Sequence, residues 1–141
     1  MGSNTVAVGI AATFVWLGMV LAISFLEAPL KFRAPGVTLA VGLGIGRLVF
    51  RALNIAESIL AVLVIVAMAS GYPRSALVLS GIAVTALIIQ LVAVRPQLHR
   101  RTAAVLHGDT TPRSRAHLAY VTLEVVKAPA LMAAGVLLLA G

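Results

Sequence analysis

The chain holds only four acidic residues, and three of them, Glu27, Glu57 and Glu124, fall in or beside apolar stretches. A carboxyl in a dry setting does one kind of chemistry well: it gives a proton to a substrate or takes one away. Glu57 has no cation three or four residues away on its own segment, so burial would make it a proton donor, or an acid/base that loads and unloads protons. Glu124 and Lys127 stand three residues apart and admit a plainer reading, in which they neutralise each other and fix how their helix packs. An ionised side chain at the centre of a membrane span costs about 2.5–3.5 kcal/mol, so such residues turn toward a bundle interior and are paired or functional.

The spacing of the polar residues supports a shared interior. His117, Tyr120, Glu124 and Lys127 recur every three to four residues, as do Arg47, Arg51, Asn54, Glu57 and Ser58, so each set forms one stripe of a helix. Ser24, Glu27 and Lys31 add a third stripe. Facing one another in a four-helix bundle, they would enclose a polar chamber with a basic rim and a mixed floor near Glu57, Glu124 and Lys127. Arg47 and Arg51 are like charges at i and i+4, which repel unless an anion lies between them. Glu27 would supply one, and so would a carboxylate, phosphate or lipid headgroup, because the arginine fork suits those groups.

The elements that must position these residues follow from composition. Of 141 residues 61% are hydrophobic and 11% charged, with a mean hydropathy of +1.08. These values exclude a water-soluble enzyme and a disordered tail, and predict an all-α integral membrane protein folded as a single domain. Four segments match the roughly 20 residues needed to cross a bilayer core, over about 5–27, 44–70, 75–94 and 116–140. Thr5 to Leu26 and Ser75 to Val94 carry no charge, whereas the second and fourth spans carry the polar stripes. Gly71-Tyr72-Pro73-Arg74 reads as a tight antiparallel turn, and the third span is expected to stop at Arg95-Pro96, with a brief surface helix over 97–107.

Cations set the expected orientation. Lys31, Arg33, Arg47, Arg51, Arg95, Arg100, Arg101, Arg113 and Arg115 fall on one side and Arg74 alone on the other, so the basic loops should be cytoplasmic and both termini outside. This distribution accounts for the +7 net charge without nucleic acid, for which one Trp, two Tyr and four Phe offer little stacking surface. The amino-terminal stretch lacks a basic n-region and cleavage site, so the first helix is expected to stay in the mature protein, and Val6 spoils a myristoylation signal.

Other patterns point elsewhere only weakly. Without cysteine there is no disulfide framework or thiolate metal site. A metal held by Glu27, Glu57, His117 and Glu124 would lack the Glu-x-x-His repeat of carboxylate-rich bundles, and no histidine lies deep enough in a span for haem, so neither metal nor cofactor is expected. His99, in an arginine-rich run, reads as facing headgroups. Gly42-Leu43-Gly44-Ile45-Gly46 lacks a dinucleotide fingerprint's third glycine and preceding strand, and fits a close helix approach or a flexible entry to the second helix instead. Pro29 and Pro129 each follow a charged residue and an alanine, where they would kink their helices beside polar groups. Trp16 reads as a packing residue.

Trp16-Leu17-Gly18, Ala28-Pro29-Leu30-Lys31-Phe32 and Gly46-Arg47-Leu48-Val49-Phe50 carry a resemblance. With these W-x-G, A-P-x-x-F and G-R-x-x-F elements the chain resembles, loosely and over most of its length, the four-span membrane family that includes transmembrane protein 205. His117 looks like that family's histidine near the start of helix four, while Glu124 stands about where members often carry a polar amide. The resemblance implies a four-helix integral membrane protein and no particular activity.

The expected function is a membrane-embedded site for a lipophilic isoprenoid-, quinone- or lipid-like molecule with an anionic or polar head. Arg47, Arg51 and Lys31 would hold the head beside Asn54 and Lys127. Glu57, Glu124 or Glu27 would be the acid or base, and His117 and Tyr120 would orient the substrate. Cyclisation or isomerisation begun by protonation suits a site with a buried acid and no cofactor. The alternatives are a small proton-coupled exporter, dimeric or otherwise oligomeric, and an assembly subunit of a membrane complex.

Overall fold

The computed structural model describes residues 2–108 and 115–141, and side chains over 3–108 and 118–141. Four long helices make an all-α bundle: α1 (Ser3–Arg33), α2 (Leu39–Met68), α3 (Arg74–Leu106) and α4 (Arg115–Ala140). All four contain stretches long and apolar enough to cross a membrane. Large apolar side chains also cover the outer faces, as at Ile55, Ile59, Val62 and Val66 of α2. A helix apolar on every side is at home in lipid, where its outer face meets hydrocarbon and its inner face another helix.

Short connections make successive helices antiparallel neighbours. Between α1 and α2 the chain turns at Gly36, whose φ of 81° favours glycine. The Thr38 side chain then caps α2 by accepting the Val41 N–H at 3.2 Å. Between α2 and α3 the turn runs through Gly71, at φ 102°, to Pro73. The second helix thus starts at Leu39, earlier than its sequence pattern predicts, because Thr38 supplies the cap.

The third helix departs further from expectation. It does not stop at Arg95-Pro96 but runs on to Leu106, so the predicted surface helix is its continuation. A π-helical turn over Gln90–Val94 lies just before the proline. Proline lacks an N–H and crowds the carbonyl four residues earlier. A wider turn at that point lets the helix continue. At about 1.5 Å per residue its 33 residues reach about 50 Å, well beyond the roughly 30 Å of a hydrocarbon core. A second π turn, Leu21–Glu27, interrupts α1, which ends in a 3-10 turn over Lys31–Arg33.

Helix α1 packs against α2 and α4, and α3 packs along α4. Beyond its π turn, α3 also leans on α2. The central core joins Trp16, Leu17 and Val20 to Ala61, Val64, Ala83, Leu87 and Leu131, with alanines allowing close approach. Tyr72, Ala67, Ala76 and Leu138 close the Arg74 end, and Val94 and Tyr120 pack with Phe50 and Leu98 toward the basic end.

Candidate functional site

Five side chains, drawn from the middle stretch of all four helices, meet inside the bundle. The Lys127 ammonium of α4 lies 2.6 Å from Glu57 Oε1 of α2, 2.6 Å from Glu124 Oε1 of its own helix and 2.7 Å from Gln90 Oε1 of α3. An ammonium has three N–H donors, and here three acceptors take them. The Gln90 amide turns its other end to Glu124 Oε1, donating at 2.6 Å, and Trp16 of α1 donates its indole N–H to Glu57 Oε1 at 3.0 Å. Trp16, Glu57, Gln90 and Lys127 are wholly buried, and Glu124 is 2% exposed.

Glu57 and the Glu124–Lys127 pair therefore belong to one network. Glu124 and Lys127 do pair at i,i+3, but Lys127 also reaches Glu57, so Glu57 has a cation that comes from another helix. The second carboxylate oxygens, Glu57 Oε2 and Glu124 Oε2, have no hydrogen-bond partner among the described residues. Gln90 was not foreseen, being a lone uncharged amide in an apolar span. Trp16, read as packing, is also a hydrogen-bond donor to the cluster.

On the basic side of this cluster lies a cavity of about 390 Å³. Its body is largely apolar, with Phe25, Phe32, Leu43, Phe50 and Leu98. Cations line it as well: Lys31 from the end of α1, Arg47 from α2, and Arg95 and Arg101 from the extended part of α3. Asn54, Tyr120 and Glu124 complete the wall next to the cluster. Four buried oxygens on residues lining the cavity have no partner among the described residues: Ser24 Oγ, Asn54 Oδ1, Tyr120 Oη and Glu124 Oε2. Buried polar atoms are normally hydrogen-bonded, so four around one cavity, from three helices, mark a place where a polar group would be held.

Local sequence explains how the wall is built. Gly42 lies against the Phe32 ring too closely for a Cβ, and Gly46 lies against the end of the Lys31 side chain, so the end of α1 packs close to the start of α2. This is the close approach read from the glycine-rich run. Lys31 Nζ then sits 5.5 Å from the Phe32 and Phe50 ring centroids, within reach of both π faces. Phe50 meets Tyr120 edge-on at 5.6 Å. Six residues of the Ala28-Pro29-Leu30-Lys31-Phe32 and Gly46-Arg47-Leu48-Val49-Phe50 elements reach the cavity beyond Arg47 itself.

The remaining predicted residues fall elsewhere. Glu27 is not on the cavity wall; it pairs with Lys31 at 3.7 Å, a helical turn away, and does not lie between Arg47 and Arg51. Arg51 is exposed outside the cavity, because its place on α2 turns it away from the face carrying Asn54 and Glu57. Lys127 is sealed in the cluster and does not line the cavity. His117 lies outside the described side chains, as do Arg113 and Arg115. His99, expected to face headgroups, lines the cavity instead, since α3 continues as a packed helix. Among the described residues, no three His, Asp or Glu side chains gather as a metal site.

Compared with known proteins, the chain matches no family model, no curated protein and no solved structure.

Proposed function

We propose that this membrane protein binds a lipophilic molecule with an anionic head in the cavity between α1, α2, α3 and α4. The observation that carries this reading is the pairing of an apolar body with a cationic rim and four unpartnered oxygens in one 390 Å³ space. That volume lies within the usual range for small-molecule sites. Arg47 and Arg95 would take the anionic oxygens, since a guanidinium presents a planar fork of donors. Asn54 Oδ1 accepts and does not donate, so the head would also carry a hydroxyl or N–H. The aromatic and aliphatic wall would hold the chain. An isoprenoid, quinone or lipid derivative has this form.

Glu124 gives the site its chemistry. It is the one carboxyl that lines the cavity among the described residues, while Glu57 is sealed behind it. Protonated at Oε2, Glu124 would deliver its proton to a substrate double bond. The resulting carboxylate would take a proton from the neighbouring carbon, completing an isomerisation or cyclisation with no change of oxidation state. By the positive-inside rule the basic end would face the cytoplasm, with both termini outside.

Purified protein in a mild detergent would test the reading by titration with dodecyl phosphate and its matched cation, dodecyltrimethylammonium. Saturable binding of the phosphate alone, weakened in Arg47→Ala, is expected. Preference for the cation would overturn the proposal and favour a proton-coupled exporter. Mass spectrometry of the purified protein would name the natural ligand.

A further inference from the structure

We infer that the Trp16, Glu57, Gln90, Glu124 and Lys127 cluster binds one exchangeable proton, and that this proton passes between cluster and cavity at Glu124. The inference begins from charge. Lys127 uses all three donors on Glu57, Glu124 and Gln90, which fixes it as an ammonium. Two carboxylates against one ammonium leave one negative charge in the bundle interior. Uncompensated charge is strongly disfavoured there, and a single proton removes it.

The hydrogen-bond pattern gives the proton its place. Each carboxyl accepts through Oε1, whereas Glu57 Oε2 and Glu124 Oε2 accept from nothing among the described residues. An oxygen that carries the proton itself needs no donor. Glu57 is wholly enclosed, so its proton would have no route out. Glu124 lines the cavity, which opens a route for its proton that Glu57 lacks, and Asn54 and Tyr120 line the same cavity with unpartnered oxygens of their own.

Other charged and titratable groups around Glu124 come from every neighbouring helix. Its own helix provides Tyr120 and Lys127, α2 provides Glu57 and, on the cavity wall, Arg47, and α3 provides Arg95, His99 and Arg101 on that wall beside the uncharged Gln90. From α1, Trp16 acts through Glu57, and Lys31 lies on the cavity wall. The ion pairs made by Glu57 and Glu124 among the described residues are both with Lys127. On release, the Glu124 O–H bond breaks, its electron pair stays on the carboxylate, and the proton passes to water or ligand in the cavity. Resting on the binding reading above, an anionic head would be repelled by ionised Glu124 and accepted beside protonated Glu124. Proton and anionic lipophile would then bind together, each raising the affinity for the other by the same factor.

The chain carries its own reporter, because Trp16 is its single tryptophan and donates to Glu57. In lipid nanodiscs, wild-type tryptophan emission followed against pH should change in one reversible step that is absent in Glu124→Gln. Infrared difference spectra of the wild type across that step should show loss of one carboxylic acid C=O band. Flat emission with no such band, or a step that persists unchanged in Glu124→Gln, would overturn the inference. If that variant does not fold, the wild-type infrared band decides alone. Dodecyl phosphate added to weakly buffered protein above the step should draw about one proton per bound molecule. Phosphate binding without proton uptake would overturn the coupling and leave the binding reading standing. A clean step with no phosphate binding would support the proton site and remove the binding reading.

Discussion

Lys127 and Glu57 lie 70 residues apart in the chain and 2.6 Å apart in space, and neither side chain is exposed. This contact ties α4 to α2 across the bundle and sets an order among variants. Lys127→Met leaves two buried carboxyls without their cation and is expected to cost about 3–5 kcal/mol, the scale for breaking one side of a buried pair. Glu57→Gln keeps an acceptor for Trp16 and leaves one ammonium to one carboxylate, so its cost should be near 1 kcal/mol. Thermal unfolding in detergent checks the order. Equal losses in the two variants would show that charge balance does not govern the cluster.

The two arginines of α2 should separate cleanly. Both are exposed, but Arg47 lines the cavity and Arg51 does not. Losing one charge-assisted contact costs about 1.5–3 kcal/mol, so Arg47→Ala should weaken dodecyl phosphate binding at least about tenfold. Arg51→Ala should change it less than about twofold, as for a solvated charge that does not reach the cavity. Calorimetric titration gives both values, and a larger effect from Arg51 would place the anion elsewhere.

Packing at the Arg74 end offers a test free of ligand. A Cβ on Gly9 would collide with Tyr72 Oη and with Ala67, and Tyr72 Oη has no hydrogen-bond partner among the described residues. Gly9→Ala should therefore destabilise the fold by about 1–3 kcal/mol through overpacking. Tyr72→Phe removes the atom nearest the new methyl, and the double variant should regain part of the loss. Additive effects would mean that the two residues do not meet.

Orientation can be read by labelling, since the natural sequence has no cysteine. The proposed orientation predicts that Ser75→Cys reacts with an impermeant maleimide on intact cells. Ala34→Cys should react only after the membrane is opened. The reverse pattern would put the basic end outside.

The four long helices were legible because uninterrupted apolar stretches leave few other structures open to a chain. Glu57, Glu124 and Lys127 were legible as interior residues because charge in such stretches demands a partner. Their partners were harder to read. Which helix meets which depends on long-range packing, so the Lys127 contact with Glu57 and the part played by Gln90 have no local signature. Glu27 and Arg51 belong to the sequence stripes and do not line the cavity, because stripe membership fixes a helix face only to within a broad arc. Continuation of α3 past Pro96 was hidden because the proline rule assumes regular α geometry, which the π turn relaxes.

The two π turns, Leu21–Glu27 and Gln90–Val94, each divide a long helix into two segments. A π turn amounts to one extra residue absorbed without breaking the helix. In a regular α-helix one extra residue would rotate everything beyond by about 100°, and the wider turn takes up that rotation locally. On one side of these turns lies most of the tightly packed core, and on the other lie Lys31, Arg95 and Arg101 at the cavity. The molecule is therefore modular along its length: each turn takes up a one-residue change in length, so the cavity side can change while the core keeps its packing. New ligand preferences would then arise at that end by single insertions or deletions, a route that a bundle of uninterrupted helices does not offer.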